Sequence, residues 1–244
     1  MAYDISNSWR GVVGTIKPTH RPGSLEEFIR FLPEGIGVIP VVLGIKEGTE
    51  KEFLDSMEPM KEKVAELAKL KVDVIFPQGA PPFMVRGYRG EEAIVRSMEE
   101  QHGIPVVTSG MTQVEALKVL GIKRIIGITY FQGELNRKFA QYFTEAGFEV
   151  LAMEGLPVAF TEAGRLSYQE VYAFTKKLYL QHKNAQGIYM LGGAWRILEV
   201  IQLLEQDLRI PVVHSTPAKV WAIEKRLYVR QPVKGYGRLL EEMP

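Results

Sequence analysis

Short apolar runs of four to seven residues alternate along the chain with longer segments in which apolar residues recur every three or four positions. The short runs are typical of buried β-strands, and the longer segments are typical of amphipathic α-helices. The predicted strands cover residues 11–16, 37–43, 72–77, 105–108, 124–130, 149–153, 188–191 and 211–214. The predicted helices cover residues 50–70, 91–102, 112–120, 135–146, 167–181, 196–208 and 218–225. This alternation predicts an α/β protein with parallel sheets that helices cover on both faces.

An internal repeat divides the pattern into two halves. The segment GIPVVTSGMTQV begins at Gly103, and the similar segment RIPVVHSTPAKV begins at Arg209, 106 residues later. Each segment follows a strand, a glycine-containing turn and a helix, so the two halves share one plan. We therefore predict a first half formed by residues 1–110 and 216–244 and a second half formed by residues 111–215.

Two glycine turns are expected to face each other in such an arrangement. They are PQGAPP at residues 77–82 and LGGAW at residues 191–195, and each directly follows or ends a predicted strand. Ligands of open α/β sheets bind beyond the carboxyl ends of the strands. Backbone N–H groups at a turn into a helix can hold an anion such as a carboxylate. The sequence thus predicts a binding site in the cleft between the two halves.

Composition narrows the choice of partner. The chain of 244 residues is 46% hydrophobic and 24% charged, and 30 Lys and Arg against 29 Asp and Glu leave a formal net charge of +1. This balance gives no overall field that would attract nucleic acid or an acidic membrane surface, so we predict a small-molecule partner. The apolar run 36–45 is far shorter than the ~20 residues of a membrane span, and the N-terminal segment lacks the apolar region of a signal peptide. We expect a cytoplasmic protein with no membrane partner. Assembly into a homo-oligomer is a further possibility that the sequence leaves open.

Several common catalytic and cofactor motifs are missing from the sequence. The chain contains no cysteine, which excludes disulfides, thiolate nucleophiles and cysteine-bound zinc. No G-x-G-x-x-G follows the first strand, and neither a P-loop nor a G-x-S-x-G motif is present. The four histidines are widely spaced and form no metal-ligand pair. We therefore predict neither a cofactor nor a metal, and the two glycine turns remain as the candidate site.

Six segments together resemble one known superfamily. They are VGTIKP, GAPPFMVRG, GITYFQGELNRKF, LGGAWRILEVI, IPVVHSTPAKVW and KGYGRLLEE, and they occur in the family's order over nearly the whole chain. The sequence resembles the aspartate/glutamate racemase superfamily, and within it the branch of arylmalonate decarboxylases and maleate isomerases. This resemblance implies two Rossmann-like halves, an active site between them, and no organic cofactor or metal.

The chain departs from this family at its reactive positions. Racemases and maleate isomerases of this type use two cysteines, one in each glycine turn, and the matching positions here are Gly79 and Leu191. Arylmalonate decarboxylases also have glycine at the first position but keep the second cysteine. The Thr-Ser pair that binds carboxylate oxygens in that branch is replaced by Ala80 and Pro81. Because proline has no N–H, one backbone donor is lost as well.

Other positions match the family pattern. The resemblance implies that Tyr130 hydrogen-bonds a substrate carboxylate, that Pro18 and Asn136 lie at the site, and that the N–H groups of Gly192 and Gly193 stabilise an enediolate. Asn136 has the alternative role of capping the helix that follows it.

Further residues near the predicted cleft are open to a functional and to a structural interpretation. His214 ends the second IPVV strand and is a candidate for proton transfer or a structural histidine. Lys17, His20 and Arg21 follow the first strand and are candidates to bind an anion. Trp195 and Phe83 follow the two turns and are candidates for pocket walls or ordinary core.

We predict a cofactor-independent lyase or isomerase that acts on a small (di)carboxylic acid in the manner of an arylmalonate decarboxylase. Decarboxylation is the superfamily reaction that depends least on a thiol, because donors on one carboxylate stabilise the developing enediolate and only reprotonation needs an acid. The predicted catalytic residues are Tyr130 and His214, and the predicted substrate-binding residues are Pro18, Gly79, Ala80, Asn136, Leu191, Gly192 and Gly193. Two alternatives stay open: hydrolysis or hydration of a carboxylate-bearing compound through His214 and Tyr130, and carboxylate binding without catalysis.

Overall fold

Two parallel β-sheets form the centre of the molecule. The computed structural model describes residues 7–21, 23–195 and 197–244. The strands are β1 (Gly11–Lys17), β2 (Ile36–Val42), β3 (Val74–Pro77), β4 (Arg124–Thr129), β5 (Glu149–Gly155), β6 (Gly187–Met190) and β7 (Val212–His214). The first sheet has the order β2-β1-β3 and the second the order β5-β4-β6-β7. All of these strand pairs are parallel, so the predicted fold class is confirmed.

Helices cover the sheets. They are α1 (Gly23–Phe31), α2 (Glu50–Asp55), α3 (Met57–Lys69), α4 (Pro81–Met84), α5 (Tyr88–His102), α6 (Ser109–Val119), α7 (Glu134–Glu145), α8 (Tyr168–Gln181), α9 (Glu199–Leu208), α10 (Ser215–Arg226) and α11 (Arg238–Glu242). None of the helices in the described part of the chain is both long and apolar enough to cross a membrane.

The central strands are apolar on both faces because helices cover both. Val13 in β1 pairs with Val74 in β3, and Ile126 in β4 pairs with Ile188 in β6; all four side chains are fully buried. Burial of such a side chain stabilises the fold by about 1.5–3 kcal/mol. This explains why these strands appear in the sequence as continuous apolar runs rather than as alternating patterns.

The internal repeat corresponds to a repeated strand-to-helix unit. The second copy forms β7 followed by α10, which begins at Ser215. The first copy forms α6, which begins at Ser109, again 106 residues earlier. Its predicted strand, 105–108, is reduced to a single bridge between Ile75 and Val106, so the prediction of a full strand there is wrong. Two backbone hydrogen bonds flank this bridge. The N–H of Ile75 donates to Pro105 O at 2.9 Å, and the N–H of Val107 donates to Ile75 O at 2.9 Å.

Two crossing helices connect the halves. Helix α6 follows the first sheet and contacts β6 and β7 of the second, whereas α10 follows the second sheet and contacts α1 and α6. This exchange occurs close to the predicted crossings near residues 110 and 215. The assignment of residues 1–110 and 216–244 to one half and 111–215 to the other stays a prediction.

Several local elements differ from those predicted. The helix α1 and a 3₁₀ turn at Phe160–Arg165 were not predicted, because each is too short for a clear period to show. The predicted helix 50–70 is two helices that meet at Ser56, whose hydroxyl donates to Phe53 O at 2.8 Å. The helix after the second glycine turn is described from Glu199, and residue 196, where the predicted helix begins, lies outside the described residues.

Candidate active site

A cavity lies where the carboxyl ends of strands from both sheets meet. Residues within two positions of the ends of β1, β3, β4, β6 and β7 contribute to its wall, as expected for a ligand site of parallel sheets. The lining residues are Pro18, Thr19, Arg21, Ser24, Phe53, Gln78, Gly79, Pro81, Pro82, Ser109, Tyr130, Phe160, Gly192, Gly193, Ala194, Ser215 and Lys219. The empty volume is about 580 Å³, a figure that includes space open to solvent.

The first glycine turn supplies Gly79. Its φ of +88° is in the left-handed region, and a Cβ at this position would lie 3.1 Å from Cγ of Pro18. Glycine therefore allows the turn to approach Pro18 closely. Ala80 is buried and does not line the cavity; its carbonyl accepts hydrogen bonds from the N–H groups of Phe83 and Met84.

The second glycine turn brings backbone to the opposite wall. A Cβ at Gly192 would lie 2.5 Å from Oγ of Ser215 and closer still to Nε2 and Cε1 of His214, so only glycine fits. Gly193 has a φ of +102°. Leu191 does not line the cavity: its side chain is 1% exposed, and its N–H donates to Ile128 O at 2.9 Å within the sheet.

Tyr130 is the aromatic side chain that directly follows β4. Its ring meets Trp195 edge-on with centroids 5.1 Å apart and is also in contact with Phe160. Burial raises the pKa of Tyr130, against the opposing effects of the positive charge of Arg21 and a hydrogen bond from the N–H of Ala194. The phenol therefore keeps its proton near neutral pH and is available as a hydrogen-bond donor.

Arg21 introduces a positive charge into this largely apolar cavity. Its guanidinium carbon lies 4.6 Å from the centre of the Phe160 ring. Its Nη1 atom is buried and has no hydrogen-bond partner among the described residues. A buried cationic donor without a partner is costly, and an anionic ligand in the cavity would relieve that cost. Lys17 supports this loop, because its Nζ donates to Arg21 O at 2.6 Å, whereas His20 is exposed and does not line the cavity.

His214 lies behind the second glycine turn instead of lining the cavity. It is fully buried, caps α10, and its Nδ1 accepts the N–H of Thr216 at 3.1 Å. Burial, together with the smaller effect of the positive charge of Lys219, lowers the pKa of His214 to about 3. The imidazole is therefore neutral at physiological pH, with its proton on Nε2.

Lys219 is a cavity residue that the sequence analysis did not single out. It is only 3% exposed, and its Nζ lies 4.8 Å from the centre of the Phe28 ring. Burial lowers the pKa of Lys219 to about 7; the charge of Glu27 raises it and that of Lys17 lowers it. The internal repeat carried a signal for this residue, because Lys219 stands where the first copy has Gln113.

Asn136 is not brought to the cavity. Its Oδ1 accepts the hydroxyl of Thr129 at 2.7 Å, and its Nδ2 donates to Phe131 O at 2.7 Å. The amide thus fixes the turn between β4 and α7, and the residue borders a separate surface hollow. Trp195 and Phe83 are buried core residues, whereas Phe53 and Phe160 form the aromatic wall of the cavity.

This architecture defines a class of protein: a two-sheet α/β fold with a cavity between the carboxyl ends of the strands of both sheets. The chain belongs to the arylmalonate decarboxylase family, because the family model matches residues 21–240. The predicted resemblance is thereby confirmed, and this chain contains no cysteine.

Individual relatives agree with this assignment. The arylmalonate decarboxylase of Bordetella bronchiseptica is 24% identical over 202 residues, which cover 82% of this chain and 84% of the relative. The maleate isomerase of Geobacillus stearothermophilus is 25% identical over 235 residues, covering 93% and 92%. These relatives are enzymes, so the chain is a member of an enzyme family.

Solved structures have the same fold. A liganded arylmalonate decarboxylase with a Gly-to-Cys and a Cys-to-Ser substitution aligns with a TM-score of 0.86 at 21% identity, covering 95% of this chain and 99% of that one. A Cys-to-Ala variant of the maleate isomerase of Pseudomonas putida S16, with maleate, aligns with a TM-score of 0.84 at 20% identity, covering 95% and 97%.

Proposed function

We propose that this protein is a cofactor-independent lyase or isomerase of small (di)carboxylic acids that decarboxylates a malonate-like substrate through an enediolate. The observation that carries the proposal is the buried Nη1 of Arg21, which has no hydrogen-bond partner among the described residues, in a cavity lined by aromatic side chains, Tyr130 and both glycine turns. Such a cavity offers donors to one carboxylate and apolar surface to the rest of the substrate.

In the proposed reaction, Arg21 and the phenol of Tyr130 hold the carboxylate that is retained. The leaving carboxylate lies against the apolar wall of Phe53 and Pro82, away from the Arg21 guanidinium on Phe160, where it is poorly solvated. Loss of CO₂ leaves the electron pair on the former α-carbon, and the retained carboxylate becomes an enediolate. Each preorganised donor to the developing charge is typically worth about 3 kcal/mol.

The chemistry of the residues favours decarboxylation over thiol-dependent isomerisation. A Cys-to-Ser variant of the Nocardia farcinica maleate isomerase was solved with a covalently bound succinylcysteine intermediate. This chain has no cysteine with which to form such an adduct. Decarboxylation needs no covalent bond to the protein, so it remains compatible with the residues present.

The proposal separates the two residues that the sequence analysis paired as catalytic. Tyr130 lines the cavity and keeps its role as a donor to the substrate. For His214 we propose a supporting role, in which the neutral ring fixes the position of the second glycine turn.

The test is turnover of phenylmalonate, malonate and maleate, followed by NMR detection of products, in the wild type and in Tyr130→Phe. We expect a decarboxylated monoacid from at least one malonate and a 10²- to 10³-fold fall of kcat/KM in Tyr130→Phe. Tyr228→Phe is the matched control, because Tyr228 is 97% exposed. Binding of these acids without any turnover contradicts the proposal and favours a binding protein, whereas hydration of maleate favours the alternative chemistry.

A further inference from the structure

Lys219 occupies a place in the cavity that the proposed reaction has not used. Helix α10 begins at Ser215, and residues four positions apart on a helix lie on the same face. Ser215 and Lys219 both line the cavity, so this face of α10 is turned towards it. The side chain of Lys219 thus enters a site that also contains Tyr130 and Arg21.

The surroundings of Lys219 favour a neutral amine in exchange with a charged one. The elements packed on this part of α10 contribute Phe28 and Glu27 from α1, the cation Lys17 from β1, and the neutral His214 from β7. On the neighbouring helices, Glu26 of α1 acts on Lys17, Glu115 of α6 pairs with Lys225 at 2.6 Å, and Arg238 of α11 pairs with Glu242. Near neutral pH both forms of Lys219 are therefore populated, as its pKa of about 7 requires.

The other titratable groups at the site are unsuited to deliver a proton. Arginine side chains do not act as general acids in proteins, because a guanidinium keeps its proton. The pKa of Tyr130 is raised by burial, which makes the phenol a donor but a weak acid. His214 carries no additional proton at neutral pH, because its pKa is lowered to about 3. An acid works best when its pKa lies near the operating pH, and among the described groups at the cavity Lys219 meets that condition.

The internal repeat provides a reference for this residue. At the position equivalent to Lys219, the amide of Gln113 donates to Met190 O at 3.0 Å and to Val213 O at 3.2 Å. Gln113 therefore has a structural role, joining α6 to the second sheet. The second copy of the repeat has an ionisable amine at the same position, and that amine lies at the cavity.

We propose that Lys219 is the general acid that protonates the α-carbon of the enediolate. This inference rests on the proposed function. An N–H bond of the Lys219 ammonium breaks, the electron pair of the enediolate forms the new C–H bond, and the neutral amine recovers a proton from water. Each turnover releases one CO₂ and takes up one proton from solution, and no oxidant, reductant or cofactor takes part. In reverse, the amine removes an α-proton from the product acid.

The reverse step allows the two proposals to be tested separately. The first measurement is decarboxylation of phenylmalonate as a function of pH, and the second is exchange of the α-hydrogen of the product monoacid in D₂O, followed by NMR. The variants are Lys219→Gln, which introduces the side chain of the equivalent position, and Lys219→Arg, which keeps the charge. Lys225→Gln is the control on the same helix, because Lys225 is half exposed and outside the cavity.

We expect kcat to fall 10²- to 10⁴-fold in both Lys219 variants, the usual contribution of a positioned general acid. In both variants the change of kcat with pH near 7 should disappear, and exchange of the α-hydrogen should be lost. The affinity of Lys219→Arg for malonate should stay within a few-fold of that of the wild type. The Lys225→Gln variant should behave as the wild type. Wild-type rates and an unchanged pH limb in both Lys219 variants would overturn the proposal.

Two further results separate the outcomes. If the wild type shows no turnover but still exchanges the α-hydrogen through Lys219, the proposed decarboxylation is refuted and the role of Lys219 as general acid is supported. Absence of both turnover and exchange in the wild type refutes both. If the variants do not fold, the wild type is labelled with acetic anhydride at a series of pH values. We expect Lys219 to be labelled with a titration near pH 7 and to be protected by malonate. A Lys219 that is not labelled, or that malonate does not protect, refutes its role as the general acid.

Discussion

The position of the second glycine turn depends on a close fit between Gly192 and His214, which the substitution Gly192→Ala would disrupt. A Cβ at Gly192 would lie 2.5 Å from Oγ of Ser215 and closer to two ring atoms of His214. The ring is fully buried, and its Nδ1 is held by the N–H of Thr216, so it has little freedom to move away. The turn itself must therefore shift.

The structure sets the expected magnitude. Overpacking of a buried position costs about 1–3 kcal/mol. For a chain of this length a loss of about 2 kcal/mol lowers Tm by about 4–8 °C. A displacement of catalytic backbone by about 1 Å costs on the order of 10²-fold in rate. We expect Gly192→Ala to show both effects, whereas Gly193→Ala, whose Cβ would meet nothing within 4 Å, should show only the cost of its φ of +102°.

A double-mutant cycle with His214→Ala identifies the cause. Removal of the ring makes space for the new methyl group, so the double variant should be more stable than the sum of the single losses by about 1–2 kcal/mol. The turnover rate of the double variant should also be about 10-fold or more above that of Gly192→Ala. The assays are thermal unfolding and phenylmalonate turnover for the three variants and the wild type.

Two results would refute this reasoning. Additive stability losses would mean that the ring of His214 does not limit the turn. Loss of all turnover in a correctly folded His214→Ala variant would mean that the imidazole takes part in the chemistry, as the sequence analysis predicted, and that our supporting role for it is wrong.

Three further predictions concern charge and packing. Replacement of Arg21 by Met should raise KM for a dicarboxylate about 10- to 100-fold, measured by steady-state kinetics, because a charge-assisted donor is worth about 1.5–3 kcal/mol; an unchanged KM would contradict the assignment. Burial raises the pKa of Glu91 to about 7 although Tyr142 donates to it, so its contribution to the free energy of unfolding is fully present below about pH 4.5 and is lost as pH rises through 7. Urea unfolding at pH 5 and pH 8 should show this decline, on the order of 3 kcal/mol, and Glu91→Gln should remove the part due to Glu91 while leaving that of Glu224, whose pKa burial also raises to about 7. Leu191→Cys should cost about 2 kcal/mol in thermal unfolding, because Leu191 is 1% exposed; thiol labelling that malonate blocks would support the alignment of Leu191 with the family's second cysteine, and labelling that malonate does not affect would contradict it.

Much of the architecture was accessible from local pattern. Runs such as Ile188 to Met190 are buried on both faces, which is why they stand out as apolar segments bounded by glycine. The glycine turns were equally clear, since left-handed backbone at Gly79 and Gly193 demands that residue type. By contrast, the helix α1 and the 3₁₀ turn at Phe160–Arg165 lack a long period, and both supply residues that surround the site.

The sequence by itself determined the fold class, the family, the two glycine turns and the absence of a thiol, because each of these depends on residue type and spacing along the chain. Only the tertiary structure decided which side chains share the cavity and in which protonation state. Asn136 is held by Thr129 and Phe131 outside it, while Lys219 enters it beside Phe28. The pKa values of His214 and Lys219 are lowered mainly by burial, and burial is produced by residues distant in sequence that pack together only when the chain folds.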